Sequence, residues 1–208
     1  MNEARLEPGE ATLRQQAKAQ LRERMVALRH VLPAQAHTQR SQAACKHLIE
    51  LECYCSARTV ALYIAFNAEL DTSPLLESIS ALGKQACLPR VTPHSKEMTL
   101  RGFIKENQLV RSSYGILEPE ASSPEIDLGA VDLIVLPALA ADESGYRIGY
   151  GKGHYDRLLA RMPNTTRVCL LYDFQLIAEV PQEPHDERMH WVITDQRQVQ
   201  IGPDHSAV

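Results

Sequence analysis

The residues best equipped for chemistry crowd into positions 136–159, L-P-A-L-A-A-D-E-S-G-Y-R-I-G-Y-G-K-G-H-Y-D-R-L-L. Gly145, Gly149, Gly151 and Gly153 are interleaved there with the cations Arg147 and Lys152 and the acids Asp142 and Asp156. Closely spaced glycines let a backbone adopt positive φ and bring its N–H groups up to an anion with no Cβ in the way. The cations would balance that anion, and Asp156 could hold a divalent cation bridging phosphates. The chemistry indicated is phosphate handling, with a plain glycine-rich turn carrying a well-placed acid as the alternative. Neither common nucleotide fingerprint is present: G-x-G-x-G at residues 149–153 is not G-x-G-x-x-G, and G-x-x-x-x-G-K-[ST] is missing.

Two elements must position this loop. Upstream, Val131 to Leu136 is a short, β-branched, apolar run of buried-strand length stopped by Pro137. Downstream, Tyr155, Leu158, Leu159 and Met162 recur at helical spacing, so a helix is expected to begin at Gly153 or His154. The glycines would then lie at a helix N-terminus, where unpaired N–H groups and the dipole favour an anion.

Elsewhere, Leu13, Ala17, Leu21, Met25 and Leu28 mark an amphipathic helix over 11–29, with Arg14, Lys18 and Arg22 as an adjacent basic stripe. On periodicity alone that stripe reads as a solvated face. Pro33 suits the first turn of a second helix reaching about residue 52. Strands are expected at 58–64, 86–88, 98–104, 168–172 and 191–194, with a helix over 73–82 closed by Gly83 and irregular chain up to Pro124. The alternation predicts an α/β fold: a mostly parallel sheet with helices on both faces, in a single compact domain. In such sheets ligands collect at the carboxyl ends of the strands, where residues 65–69 and the glycine loop could both arrive. Residues 1–10 are expected to be a flexible N-terminus, 11–200 the domain and 201–208 a tail.

At 208 residues the chain is long enough for a sizeable core, and 44% apolar with 23% charged residues is ordinary globular composition. A formal charge of −4 argues against nucleic acid or an anionic membrane as partner. No apolar run approaches the ~20 residues of a membrane span, and the first ten residues lack a signal-peptide core. Cys45, Cys53, Cys55, Cys87 and Cys169 lack metal-site spacing and read as reduced thiols, which points to a cytoplasmic protein. A monomer is expected.

The glycine segment resembles the signature of the 5-formyltetrahydrofolate cyclo-ligase (5,10-methenyltetrahydrofolate synthetase) family, roughly P-x-x-x-F-D-x-x-G-x-R-L-G-x-G-x-G-Y-Y-D. Pro137, Asp142, Gly145, Arg147, Gly149, Gly151, Gly153, Tyr155 and Asp156 stand in register, with Ile148 for the leucine. Three further blocks agree: Lys18-Ala-Gln-Leu21-Arg22 with the family's K-x-x-L-R helix, Ala65 to Thr72 with its folate-contacting segment, and Tyr114 to Pro119 with its W/Y-G/N-I-x-E/Q-P turn. The resemblance spans residues 14–195. It departs at Ala141, where the family usually has Phe, and at His154, usually Tyr. It departs also at His190, where some members have an Asp associated with magnesium.

The resemblance implies that 5-formyltetrahydrofolate, polyglutamylated or not, and ATP give 5,10-methenyltetrahydrofolate, ADP and phosphate, with magnesium. Under it Arg147, Lys152 and Asp156 are catalytic, Asp156 being the metal ligand. ATP would meet Lys18, Arg22, Arg147, Gly149, Gly151, Gly153 and Tyr155. Folate would meet Ile64, Phe66, Glu69, Tyr114, Tyr150, Gly151, Lys152, Gly153 and His154, with the Glu69 carboxylate accepting from the pterin N–H donors. Two other classes compete: a sugar-phosphate isomerase or transferase of similar architecture, and a catalytically silent nucleotide- or folate-binding relative.

Overall fold

The computed structural model describes residues 8–92, 97–103, 109–112, 115–183 and 185–202. Its centre is a seven-stranded sheet. In chain order the strands of this sheet and of two small hairpins are β1 (Thr59–Ala61), β2 (Gln85–Val91), β3 (Met98–Phe103), β4 (Leu109–Arg111), β5 (Leu117–Pro119), β6 (Leu133–Pro137), β7 (Ala140–Ala141), β8 (Arg147–Ile148), β9 (Thr166–Leu170), β10 (Trp191–Ile193) and β11 (Gln198–Gln200). The helices are α1 (Pro8–His30), α2 (Ala34–Ile49), α3 (Glu52–Ser56), α4 (Ser73–Ala81) and α5 (His154–Leu159). The large sheet runs in the order β11-β10-β9-β6-β1-β2-β3. Its five inner strands are parallel, and only the edges β3 and β11 are antiparallel to their neighbours.

The apolar strands are buried on both faces because alternate residues serve different cores. Val60, Leu133, Val135, Val168 and Leu170 pack on one side with Ala44, Cys45 and Leu48 of α2 and Leu75 and Ile79 of α4. Ala61, Ile134, Leu136 and Cys169 pack on the other with Leu158 and Leu159 of α5 and Met162 beyond it. A third cluster, Met25, Leu139, Ala140, Ile148 and Val180, joins α1 to the β7–β8 hairpin.

Several boundaries differ from the sequence reading for local reasons. β1 leaves the sheet after Ala61, although Leu62 and Tyr63 stay buried, because the chain there turns into the site described below. β2 runs to Val91; past Cys87 its sheet neighbour is β3 alone, where Pro89 is accommodated. α1 begins at Pro8, so residues 8–10 are helical rather than frayed, and residues 1–7 lie outside the described chain. The second helix stops at Ile49 and resumes as α3. α5 has only six residues; Met162 follows it in a turn yet still reaches the core. β11 and the two hairpins β4–β5 and β7–β8 were not anticipated, being two or three residues long with no periodicity to read. Ile201, assigned to the tail, donates its N–H to the His190 carbonyl, and 203–208 lie outside the described residues.

Candidate active site

Two chain segments leave neighbouring parallel strands at their carboxyl ends and meet over one cavity. After β1, the chain reverses through Asn67 and Ala68, both at positive φ (52° and 56°). Glu69 organises that reversal: its carboxylate accepts from the Phe66 N–H (3.0 Å), its own N–H donates to the Phe66 carbonyl (3.1 Å), and its carbonyl accepts from His37 Nε2 (2.9 Å). The Tyr63 hydroxyl donates to the Leu70 carbonyl (3.0 Å), closing the base of the turn. Glu69 is left 5% exposed. Burial pushes its carboxyl up to about 7, against the opposing pull of the Arg29 charge, the Phe66 N–H and a hydrogen bond with Tyr150.

After β6, the chain enters the β7–β8 hairpin, whose turn is built on Asp142. One carboxylate oxygen accepts from the N–H groups of Ser144 (3.0 Å) and Tyr146 (3.1 Å), the other from that of Val180 (2.9 Å). Asp142 is therefore the organiser of the loop and does not line the cavity. Gly145 sits in that turn at φ +92°, and a Cβ there would lie 2.9 Å from the Met189 carbonyl oxygen. From β8 the chain runs through residues 149–153 into α5, with Gly153 as a left-handed N-cap at φ +63°.

Helix α1 reaches across to tie this loop down. Arg22 Nε donates to the Gly149 carbonyl (2.9 Å), and an Arg29 guanidinium N–H donates to the Tyr150 hydroxyl (2.5 Å). Within the loop, Arg147 pairs with Asp156 at 2.8 Å and stands 5.9 Å from the centroid of the Tyr155 ring. Burial pushes the Tyr155 hydroxyl well above its ordinary range, leaving it a neutral donor. His154 Nδ1 lies 3.2 Å from the Arg157 guanidinium, which also donates to the Lys152 carbonyl (3.0 Å).

The cavity measures about 500 Å³ and opens to solvent. Lys18, Arg22, Ile64, Phe66, Glu69, Arg147, Gly149, Tyr150, Gly151, Lys152, Gly153, His154, Tyr155 and Asp156 all line it. Tyr114 lies outside the described residues, although its neighbours Ser112, Ile116 and Leu117 form part of the wall. Its lining combines the cations and glycines of that loop with aromatic and carboxylate groups, among them Tyr63, Phe66, Glu69 and Tyr150. A charged, planar ligand carrying phosphates would find both of its chemistries met.

Two readings need correction, those of the helix dipole and of Lys18. The dipole of the six-residue α5 is short, so the side-chain cations supply most of the attraction for an anion. The Lys18 ammonium is not free beside a phosphate site: it is buried between Glu183 and Asp186, 2.8 Å from each carboxylate. His190 stands away from the cavity, with Nδ1 accepting from the Arg167 N–H (3.0 Å).

Glu183, His185 and Asp186 were missed; their ligand atoms lie within 4.8 Å of one another on the cavity wall. Arg29 was missed as well. A signal for it existed, since the eleven residues from Lys18 to Arg29 complete just over three turns, which puts Arg29 close to the face carrying Lys18 and Arg22.

Fold and site together define an open, mostly parallel α/β protein with a ligand cavity at the carboxyl ends of its strands, lined both by groups suited to an anion and by groups suited to a ring system. The model of the 5-formyltetrahydrofolate cyclo-ligase family matches residues 14–195, and the chain belongs to that family. It is 33% identical over 186 residues to the 5-formyltetrahydrofolate cyclo-ligase of Mycolicibacterium smegmatis, covering 87% of this chain and 95% of the relative. It is 31% identical over 170 residues to that of Escherichia coli K12, covering 80% and 93%. Among solved structures, the 5,10-methenyltetrahydrofolate synthetase of Aquifex aeolicus superposes with a TM-score of 0.79 at 28% identity, over 92% of this chain and 96% of that one. Among the described residues, no helix is long and apolar enough to cross a membrane.

Proposed function

We propose that the protein converts 5-formyltetrahydrofolate to 5,10-methenyltetrahydrofolate at the expense of ATP, with a divalent cation and release of ADP and phosphate. The observation that carries this reading is the cavity in which the glycine loop, the cations of α1 and the Glu69 turn converge. A formyl oxygen is a poor leaving group. Attack of that oxygen on the γ-phosphorus forms an O–P bond while the bond to ADP breaks; N10 then adds to the activated formyl carbon, loses its proton, and phosphate departs. Such a sequence needs no protein nucleophile, only charge balance and alignment of the reacting atoms.

Both kinds of lining have a part in it. Arg22, Arg147 and Lys152 balance the phosphoryl charge, and the backbone around Gly149, Gly151 and Gly153 admits the phosphates closely. Lys18 joins them once its carboxylate partners release it. Glu69, when ionised, accepts from the ring's N–H donors, while Phe66 and Tyr150 cover its faces. Magnesium fits the donors present: Asp156 shares one oxygen with Arg147 and retains the rest of its carboxylate for a cation carried with the phosphates. Bound there, magnesium would screen the triphosphate and favour its transfer.

The experiment is direct. Purified protein given 5-formyltetrahydrofolate and magnesium-ATP should develop methenyltetrahydrofolate absorbance, and omitting nucleotide or adding excess chelator should abolish it. Product formed without nucleotide would overturn the reading. ATP binding without folate turnover would instead assign a silent relative.

A further inference from the structure

Arg29 is a cation in the wrong place for a solvated helix face. It lies in the last turn of α1, is 2% exposed, and its Nε has no hydrogen-bond partner among the described residues. Burying a guanidinium is expensive unless its charge serves a partner. Here the terminal N–H donates to the Tyr150 hydroxyl at 2.5 Å. That hydroxyl lines the cavity together with the buried acid Glu69, whose carboxyl the Arg29 charge and Tyr150 both hold down against the effect of burial. The three groups are thus coupled electrostatically, from the helix through the cavity wall to the carboxylate.

We propose that Arg29 is a positioning residue for substrate recognition: its guanidinium anchors the Tyr150 hydroxyl and holds Glu69 in the ionised form that accepts the ring's N–H donors. The inference rests on the assignment of Glu69 to the ring. Burial works in the opposite direction and lifts Glu69 to about 7, so near neutral pH the carboxyl is balanced between its two forms. The other titratable groups facing this turn are His30 on α1, whose ring meets Asn67, His37 on α2, Tyr63 after β1 and Tyr155 on α5. None of them brings a permanent charge. Arg29 is the fixed cation that sets the balance.

The experiment compares the pH dependence of kcat/KM for 5-formyltetrahydrofolate in the natural chain, Arg29→Met, Arg29→Lys and Tyr150→Phe, with the KM for ATP measured alongside. The natural chain should lose folate kcat/KM as pH falls through about 7. In Arg29→Met that acid limb should move up by about one pH unit and the folate KM should rise about fivefold at pH 7, with little change in the KM for ATP. Arg29→Lys keeps the charge and should return the limb toward its original position, while losing the geometry of the fork. Tyr150→Phe breaks the coupling at a half-exposed residue and should shift the limb in the same direction as Arg29→Met, so it remains decisive if burying methionine prevents folding. Unchanged acid limbs in Tyr150→Phe and in folded Arg29→Met would overturn the proposal, as would an equal rise in both KM values. Glu69→Gln separates the two layers: a normal folate KM there removes the ring assignment itself, whereas a raised KM with flat Arg29 and Tyr150 responses removes only the coupling.

Discussion

At the residue scale, Glu69 has a cost that can be measured without any substrate. Its carboxyl sits near 7 in the folded chain against an ordinary 4.5. Below pH 4.5 it is neutral folded or unfolded; between 4.5 and 7 the unfolded chain releases the proton and the folded chain retains it. The folded state binds more protons, so stability falls as pH rises through this window, by roughly 3 kcal/mol once past pH 7. Glu69→Gln has no such titration. In urea melts the variant should gain on the natural chain steadily from pH 4.5 to 8, and a gap that stays constant with pH would show that Glu69 is not held in that buried, raised state. An acid retained at such a cost in stability is one whose value lies in the site. Its identity was legible in the sequence from the Ala65 to Thr72 block, but its burial was not, because nothing in A-F-N-A-E-L-D-T announces two consecutive residues at positive φ. Asp142 is the converse case: the motif marked it, and only the three N–H groups converging on it reveal that its work is architectural.

At the element scale, the glycine loop separates into a structural half and a ligand-facing half. Gly145 belongs to the first, since a Cβ there meets the Met189 carbonyl at 2.9 Å and Ile201 at 3.0 Å with φ at +92°. Gly151 belongs to the second: it lines the cavity, and a Cβ there would meet the Arg22 guanidinium at 3.3 Å. Gly145→Ala should cost about 2 kcal/mol or more of stability, from a strained φ and a backbone clash that cannot relax. Gly151→Ala carries a similar φ strain, +85°, but displaces a flexible side chain and should raise the KM for ATP beyond any loss of stability. Thermal melts and ATP titrations on both variants test the division; equal effects on ATP dependence would refute it. The long periodic elements were readable, α1 and the apolar strands above all, because burial on a defined face writes itself into residue spacing. The β7–β8 hairpin was not, and of α5 the start was readable but not its early end. Their conformations come from Asp142, from Gly153 as a left-handed cap and from tertiary contacts rather than from periodicity.

At the scale of the whole molecule, the site is held together by contacts between the two ends of the chain. Lys18 near the N-terminus grips Glu183 and Asp186, Arg14 donates to the Gln182 carbonyl (3.0 Å), and Arg22 and Arg29 hold the glycine loop. The sheet and its two main cores involve none of these cations. α1 rests on the third and smallest cluster, with Met25 against Leu139, Ala140, Ile148 and Val180. An element fastened by a small core and by cavity-facing polar links opens more readily than the central strands do. Ligands that fill the cavity should therefore tighten α1 and residues 183, 185 and 186 selectively, because both contribute lining residues while residues 133–136 of β6 and 168–170 of β9 are already buried in the cores. In hydrogen exchange, ATP with 5-formyltetrahydrofolate should slow the amides of residues 18–30 and 185–186 by tenfold or more and leave those of 133–136 and 168–170 almost unchanged. Lys18→Met should speed the same two segments in the free protein and blunt their response to ATP, since the ammonium no longer links helix to segment. Uniform slowing across the sheet would instead mean that α1 opens only with the whole molecule, and that the cations of α1 are as rigidly placed as the strands.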